Sequence, residues 1–550
     1  MTQLFALKPG VTVEPLICAW PATPQNFAPV TTALTVGHYQ VPNLRQYLKS
    51  PAANVEACRN PMLRAGRFVN IPVDRVRDAE ALLARMQSQF ADSLRFGQAL
   101  MDFQRTLQSD ATAGMPLGAF YPRIPRELAG YLELVYDYFA RPDVRVIEPL
   151  MYESAYYKKH LQSMRLFALE RDQDRDFVFS TPRLPAAGEL HWDIAFDDPR
   201  LDDLFRLDLD PQPLDRIRER LAMPAAQFEA LGSLLTDDVR ARAPAPWTGT
   251  GARVRHLGHA CVLIEHAGTT VLVDPCLSAH PAQGDRGRPS FDTLPERIDY
   301  VLITHGHHDH FSLETLLRLR HRVGCLVVPR SFGLHYGDVS LKMIANRAGF
   351  RNVVELDAMD RIALDDGEIV AVPFLGEHSD LPHAKTAYMV RTGTEKMLFA
   401  ADSDCLDPRM YERVADILGP VQTVFLGMEC VGAPLTWNTG ALLPVKPSMQ
   451  QDKSRRQHGC NAERGLALFR GLKARRLYLY AMGLEPWFEW LLGLAYTDDA
   501  PQIREARQIL QAARDAGAIE SRLLRPGSEI LLETAGQAPA APPRPNAVTA

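Results

Sequence analysis

An α/β domain carrying a metal site, preceded by a mixed α+β region, is the architecture that three observations in the sequence predict. Apolar runs of strand length end in histidine-rich or acidic turns, as in Asp299–Ile303 before Thr304–His310 and Lys396–Ala401 before Asp402. The stretch 237–251 (DDVRARAPAPWTGTG), rich in Pro, Gly and small residues, separates helical text from the first of these strands. At 550 residues, with 46% hydrophobic and 23% charged residues, the chain is ordinary globular material too long for one core, so two or three domains are expected. The expected division is 1–245, 246–534 and a Pro/Ala-rich tail 535–550 whose composition predicts disorder.

The elements follow in chain order. Asp74 caps a long helical pattern in which Val76, Ala79, Leu83, Met86, Phe90, Leu94 and Phe103 recur near helical spacing, and Arg126–Phe139 reads as a second helix. Strands are expected at Arg175–Ser180 and Leu190–Phe196. This apolar stripe is core or dimer surface, and no catalysis is assigned to it. Arg253–Asp274 (RVRHLGHACVLIEHAGTTVLVD) is a hairpin turning at His266-Ala267-Gly268 and closing on Asp274. Asp299–Ile303 is a buried strand, and Ser312 is placed to cap the helix that begins at Phe311–Leu317. Later strands are Glu368–Phe374, Lys396–Ala401 and Arg476–Tyr480.

Thr304–His310 (THGHHDH) packs four of the sixteen histidines and an aspartate into the turn between strand and helix. There imidazole and carboxylate heads can converge without belonging to a packed face. His305 and His307, one residue apart, can share one ion, while Asp309 and His310 project toward a second, so a binuclear centre follows. The His-x-His-x-Asp-His pattern resembles the metallo-β-lactamase superfamily, which implies a four-layer αβ/βα sandwich; the pattern names a fold and a metal pair, not a reaction. The same resemblance makes Asp274 the acid that orients the histidine loop, and Asp402 the metal-bridging aspartate with Asp404 as its rival.

Two departures separate this chain from the hydrolases of that superfamily. Where the next histidine ligand is expected, after Glu368–Phe374, the chain reads Leu375-Gly376-Glu377-His378, so Glu377 occupies or competes for the position. Adjacent residues on a strand face opposite ways, so either Glu377 or His378 points inward, and Glu377 is preferred. Where the last histidine is expected, after Arg476–Tyr480, the chain gives Ala481-Met482-Gly483. The resulting tally is His305, His307 and Glu377 on one ion, Asp309 and His310 on the other, and Asp402 between them. Three nitrogens and three carboxylates suit iron and oxygen chemistry better than zinc hydrolysis.

Together with Gly376–Asp380, Ala401-Asp402-Ser403 and Tyr480–Trp487 (YAMGLEPW), these residues are similar to the di-iron β-hydroxylases of nonribosomal peptide pathways, whose type member serves chloramphenicol biosynthesis. The likeness runs from about Val254 to Thr534 by motif and through the N-terminal part by length and position. It implies a non-haem di-iron monooxygenase of antibiotic biosynthesis that hydroxylates the β-carbon of an amino acid tethered as a thioester to a carrier domain. Dioxygen and an external reductant are then co-substrates, Glu377 and Asp309 are the residues at the chemistry, and the N-terminal region serves homodimerisation and carrier docking. A binuclear zinc hydrolase of lactonase or phosphodiesterase type is the alternative, favoured if His378 rather than Glu377 is the ligand.

Composition agrees. A formal net charge of −5 with mixed signs argues against nucleic acid as partner. No apolar run approaches a membrane span and the start lacks a signal-like pattern, so a cytoplasmic enzyme is expected. Eight scattered cysteines without a C-x-x-C pair suggest reduced thiols. Ser454–Gly459, a small basic segment, is a candidate for the pantetheine phosphate that reads more simply as a solvated loop, and Glu429, Trp437 and Trp487 are weak pocket candidates.

Overall fold

The computed structural model describes residues 3–239, 244–285, 287–376, 384–454, 457–493 and 495–532. Two seven-stranded sheets face one another. In the first, Ala252–Gly258, Cys261–His266 and Thr269–Val273 form an antiparallel meander, Ile298–Leu302, Val323–Pro329 and Val353–Leu356 continue it in parallel, and Glu529–Leu532 returns to the other edge. The second repeats the plan: Arg361–Leu364, Gly367–Val372, Ala387–Thr392 and Glu395–Phe399 are antiparallel, then Thr423–Leu426, Arg476–Leu479 and Glu520–Leu523 run parallel.

Strands buried on both faces are near-continuously apolar, and Cys261–His266 is buried at every position. Val262, Ile264, Tyr388, Val390, Phe399 and Phe425 fill the space between the sheets. Helices Pro408–Leu418, Ala462–Gly471 and Pro501–Asp515 cover the outer face of the second sheet. The result is the metallo-β-lactamase αβ/βα sandwich, and its parallel strands deliver their C-terminal ends to one edge.

The outer face of the first sheet is covered in part by helix Leu313–Leu319, and that helix by the N-terminal region. Here a four-stranded sheet of Trp20–Pro21, Val11–Ile17, Gln162–Ala168 and Leu190–Trp192 packs Val13 and Leu166 into the same apolar cluster as Leu313, Leu316 and Leu317. Buried charge joins the two regions: Glu14 is 2.6 Å from Arg165, 2.9 Å from Arg175 and 3.1 Å from Arg183, and Arg175 reaches Glu314 at 2.6 Å. The apolar core therefore runs past the boundary expected at 245, beside which residues 240–243 lie outside the described residues, as does the tail 535–550.

Four local expectations need correction. Arg126–Phe139 is not a helix: Gly130 has φ +85 and Leu132–Tyr136 pairs antiparallel with Pro142–Val146, its side chains alternating between buried and exposed. The long helix is two, Val76–Gln89 and Ala91–Leu107, broken at Phe90 (φ −106, ψ 16), and Asp74 lies in a preceding turn, Val73–Arg75, rather than capping it. Arg175–Ser180 is an irregular turn, because Arg175 is held by ion pairs and not by a ladder. The strand at Leu190 stops at Trp192. Among the described residues no helix is long and apolar enough to cross a membrane.

Candidate metal centre

Each side chain of the centre hangs from a strand end. Ile298–Leu302 leads into Ile303-Thr304 and the histidine loop, which closes when the N–H groups of His310 and Phe311 donate to His307 O at 3.1 and 2.7 Å. Ser312 then caps the next helix by accepting from Thr315 N. Asp274 ends the adjacent strand in the left-handed region (φ 41) and is fully buried. Its Oδ1 accepts from Thr304 N at 2.7 Å; its Oδ2 accepts from Thr304 Oγ1 at 2.7 Å and faces His310 Nδ1 at 2.8 Å. Asp274 thus orients the loop without reaching the metal positions.

The second sheet contributes Asp402, presented by Ala401 (φ 47), whose N–H donates to Tyr480 Oη at 3.0 Å. Gly427 packs against this turn so closely that a Cβ would stand 2.7 Å from Ala401 O and 3.3 Å from Asp402 Oδ1. Asp404 points elsewhere, accepting from Arg464 Nε at 2.7 Å and from Cys405 N at 2.7 Å.

Two groups of candidate ligand atoms result, each with all atoms within 4.8 Å of one another: His305, His307 and Asp402; and His259, Asp309 and His310. They adjoin through Asp402 Oδ2, which is 3.1 Å from His310 Nε2 and 3.6 Å from His305 Nε2. His308, the fourth histidine of the loop, joins neither group: its ring meets Phe179 and Trp490, and burial first, then Arg175, brings it down to about 4 against the pull of Asp309. Glu377 and its rival His378 lie outside the described residues.

His259 was not singled out from sequence. It follows Gly258 in the turn between Ala252–Gly258 and Cys261–His266, with φ 46, and its Nε2 is 3.2 Å from Asp309 Oδ2. The only signal was a Gly-His pair inside a hairpin otherwise read for its apolar pattern.

The electrostatics fit a pair of cations. Burial alone would lower His310, yet Asp402, Asp274 and Asp309 hold it well above its ordinary value; burial alone would raise Asp309, yet His310 and His259 hold it well below the carboxylate range. Three carboxylates, those of Asp274 and Asp402 buried and that of Asp309 half-buried, converge on one imidazole and create a demand for positive charge that metal ions satisfy, and mixed imidazole and carboxylate donors suit iron as well as zinc.

Above the centre is a cavity of about 510 Å³ with His307 and Asp309 on its floor. Glu429 and Trp437 line it, as does Tyr496; Trp487 does not, being packed against Arg288 with its ring 4.4 Å from the guanidinium. The N-terminal region supplies part of the roof through residues 62–66, tied down where Trp437 Nε1 donates to Ala65 O at 3.1 Å. Of the basic segment, Gln457 lines the cavity, while Arg455 and Arg456 lie outside the described residues.

Residues 6–238 match the diiron non-heme β-hydroxylase N-terminal domain, and residues 269–480 match the β-lactamase superfamily domain. The chain is 36% identical over 529 residues to the 4-amino-L-phenylalanyl-[CmlP-peptidyl-carrier-protein] 3-hydroxylase of Streptomyces venezuelae, covering 94% of this chain and 98% of that protein. The crystal structure of CmlA, a diiron β-hydroxylase from the same organism, superposes with a TM-score of 0.87 at 33% identity, covering 97% of this chain and all of that one. A metal-dependent hydrolase of Methanopyrus kandleri is 32% identical over 123 residues, 22% of this chain and 46% of that protein.

Proposed function

Because this chain belongs to the diiron non-heme β-hydroxylases, we propose that it places a hydroxyl on the β-carbon of an amino acid held as a thioester on the carrier domain of a nonribosomal peptide synthetase. The observation that carries this reading is correspondence over essentially the whole of both chains, N-terminal region included, with a carrier-dependent 3-hydroxylase. The partial match to a hydrolase covers too little of the chain to compete.

In this reading His305, His307 and Glu377 hold one ion, Asp309 and His310 hold the other, and Asp402 lies between them. Two iron ions, when bound, would use dioxygen with two electrons from an external donor and two protons from solvent, sending one oxygen atom to carbon and the other to water. The chain's own residues do the rest. Asp274 keeps a proton on His310 Nδ1, which leaves Nε2 free to face the centre. The apolar walls of the cavity exclude water from the reacting carbon. Glu377, with Asp309, would be a carboxylate ligand at the reacting centre, and as a carboxylate it could offer the metal either one oxygen or two. The N-terminal region, which forms part of the roof, is where the carrier domain and a second copy of the chain would be received, in the cytoplasm of an antibiotic-producing cell.

The test is to load the protein with iron, reduce it without air, then admit air together with candidate aminoacyl-carrier proteins and weigh the products. The tethered aminoacyl group should gain one oxygen atom, and the protein should hold about two irons per chain. Stoichiometric zinc with robust lactonase or esterase turnover would overturn the reading.

A further inference from the structure

The cavity above the metal positions has two ends. One carries Asp309, with Glu429 and Tyr496 beside it. At the other, Gln25, Phe179 and Trp437 line the cavity and also line a smaller one of about 40 Å³. These three side chains therefore stand as a partition between the two spaces, and two of them come from the N-terminal region.

The backbone beneath the partition is tied down. Thr23 N donates to Asn26 Oδ1 at 2.7 Å and Asn26 Nδ2 donates to Pro21 O at 2.8 Å, which closes the turn Pro24–Phe27. Thr35 Oγ1 donates to Gln25 O at 3.2 Å. Val178 N, next to Phe179, donates to Trp490 O at 2.9 Å, and Trp437 Nε1 is engaged by Ala65 O at 3.1 Å. The rings of Phe179 and Trp437 meet edge to face, 5.3 Å between centroids at 77°, so they present ring carbon to the cavity.

The amide of Gln25 is not enlisted in this bracing. Its Oε1 is buried and accepts no hydrogen bond. Gln502, another amide on the cavity wall, is already committed, its Nε2 donating to Val431 O at 2.7 Å. A buried acceptor left without a donor is unfavourable, and on a cavity wall it marks a place where a ligand supplies the partner. Among the described residues that line the smaller cavity none is charged. A charged group arriving there would lose water without gaining a counter-charge, whereas a neutral hydroxyl or amine would satisfy the amide.

We propose that Gln25 is a specificity-determining residue, its amide receiving the neutral polar tip of an aromatic aminoacyl side chain whose ring lies against Phe179 and Trp437. This rests on the carrier-bound hydroxylase reading. On that reading the β-carbon lies at the metal end and the thioester arm leaves by the mouth, so the rest of the side chain is the part that reaches the partition. The N-terminal region then reads which amino acid has been loaded, while the metal domain acts on its β-carbon.

Iron-loaded, pre-reduced full-length protein is offered carrier proteins loaded with tyrosine, 4-aminophenylalanine, phenylalanine, 4-carboxyphenylalanine or leucine, and kcat/KM is measured for each. Tyrosyl or 4-aminophenylalanyl carrier should be preferred over phenylalanyl by on the order of a hundredfold, with 4-carboxyphenylalanyl and leucyl carriers poorer still. Gln25→Met, close in size but without the amide, should reduce that preference by about tenfold or more while leaving iron content and phenylalanyl turnover unchanged. A parent that prefers phenylalanyl, 4-carboxyphenylalanyl or leucyl carrier, or a preference unaltered in Gln25→Met, would overturn the role given to Gln25 and leave the hydroxylase reading in place. Hydroxylation of no carrier-bound amino acid would overturn both. If Gln25→Met fails to fold, the ranking shown by the parent decides.

Discussion

The floor of the cavity hangs from strand ends whose turns are held in left-handed backbone at Asp274 and Ala401, with Asp274 and Thr304 wholly buried behind them. Its roof, where the N-terminal region contributes, includes residues 62–66, and there Met62 is 89% and Leu63 41% exposed. Floor residues are held by buried hydrogen bonds, while roof residues present apolar surface that can adapt. Metal affinity should therefore belong to the floor and substrate preference to the roof.

The largest effect that sharpens this division is expected on the floor. His305→Ala or Asp309→Ala should strip metal and reduce hydroxylation by on the order of a thousandfold or more, seen by metal analysis alongside turnover. Retention of both metals would dissolve the distinction. Next comes Glu377→Ala, expected to cost about a hundredfold in turnover against less than tenfold for His378→Ala. The opposite ranking would put His378 at the metal and favour hydrolysis.

An intermediate effect is expected at the ionic cluster that clamps helix Leu313–Leu319 to the N-terminal sheet. Glu14→Ala leaves buried arginines uncompensated and should cost about 3–5 kcal/mol in chemical denaturation, with metal content per folded chain unchanged. Burial alone would raise Glu14, but Arg183, Arg175 and Arg165 hold it well below 4.5; Arg165, against the same burial effect, helps bring Glu189 down to about 2. Because both folded values are depressed, their stabilisation is complete above the ordinary value of 4.5 and is lost as pH falls from there toward 2. Arg165→Met should shrink that acid-dependent loss, and denaturation curves across the interval check it.

The smallest effect is expected at the roof. Trp437→Ala, which removes the bond to Ala65 O, should raise KM for the aminoacyl-carrier by up to about tenfold with iron content unchanged. A loss of iron in this variant would mean that the roof also supports the metals.

What could be read from sequence follows the same division. His305, His307, Asp309 and His310 were legible because they are contiguous on one turn after an obvious strand, and the αβ/βα plan came with that pattern. Asp402 and Asp404 were separable only once Arg464 was seen holding the latter. His259 was hidden because its neighbourhood is assembled from distant segments, and nothing local shows that the Gly483 amide meets its ring. Arg126–Phe139 misled because Leu128, Leu132 and Val135 fall at helical spacing while Leu132 and Leu134 alternate as a strand, and pairing with Pro142–Val146 decided between them.

The central claim is that an oxygen atom from dioxygen reaches the β-carbon of a carrier-bound amino acid. Its most direct test is a single turnover of iron-loaded, pre-reduced protein with isotopically labelled dioxygen, offered the same amino acid either free or tethered to its carrier. The account predicts one labelled oxygen in the tethered amino acid and essentially none in the free one. Label appearing equally in both, or in neither while a zinc-loaded sample hydrolyses esters, would contradict it.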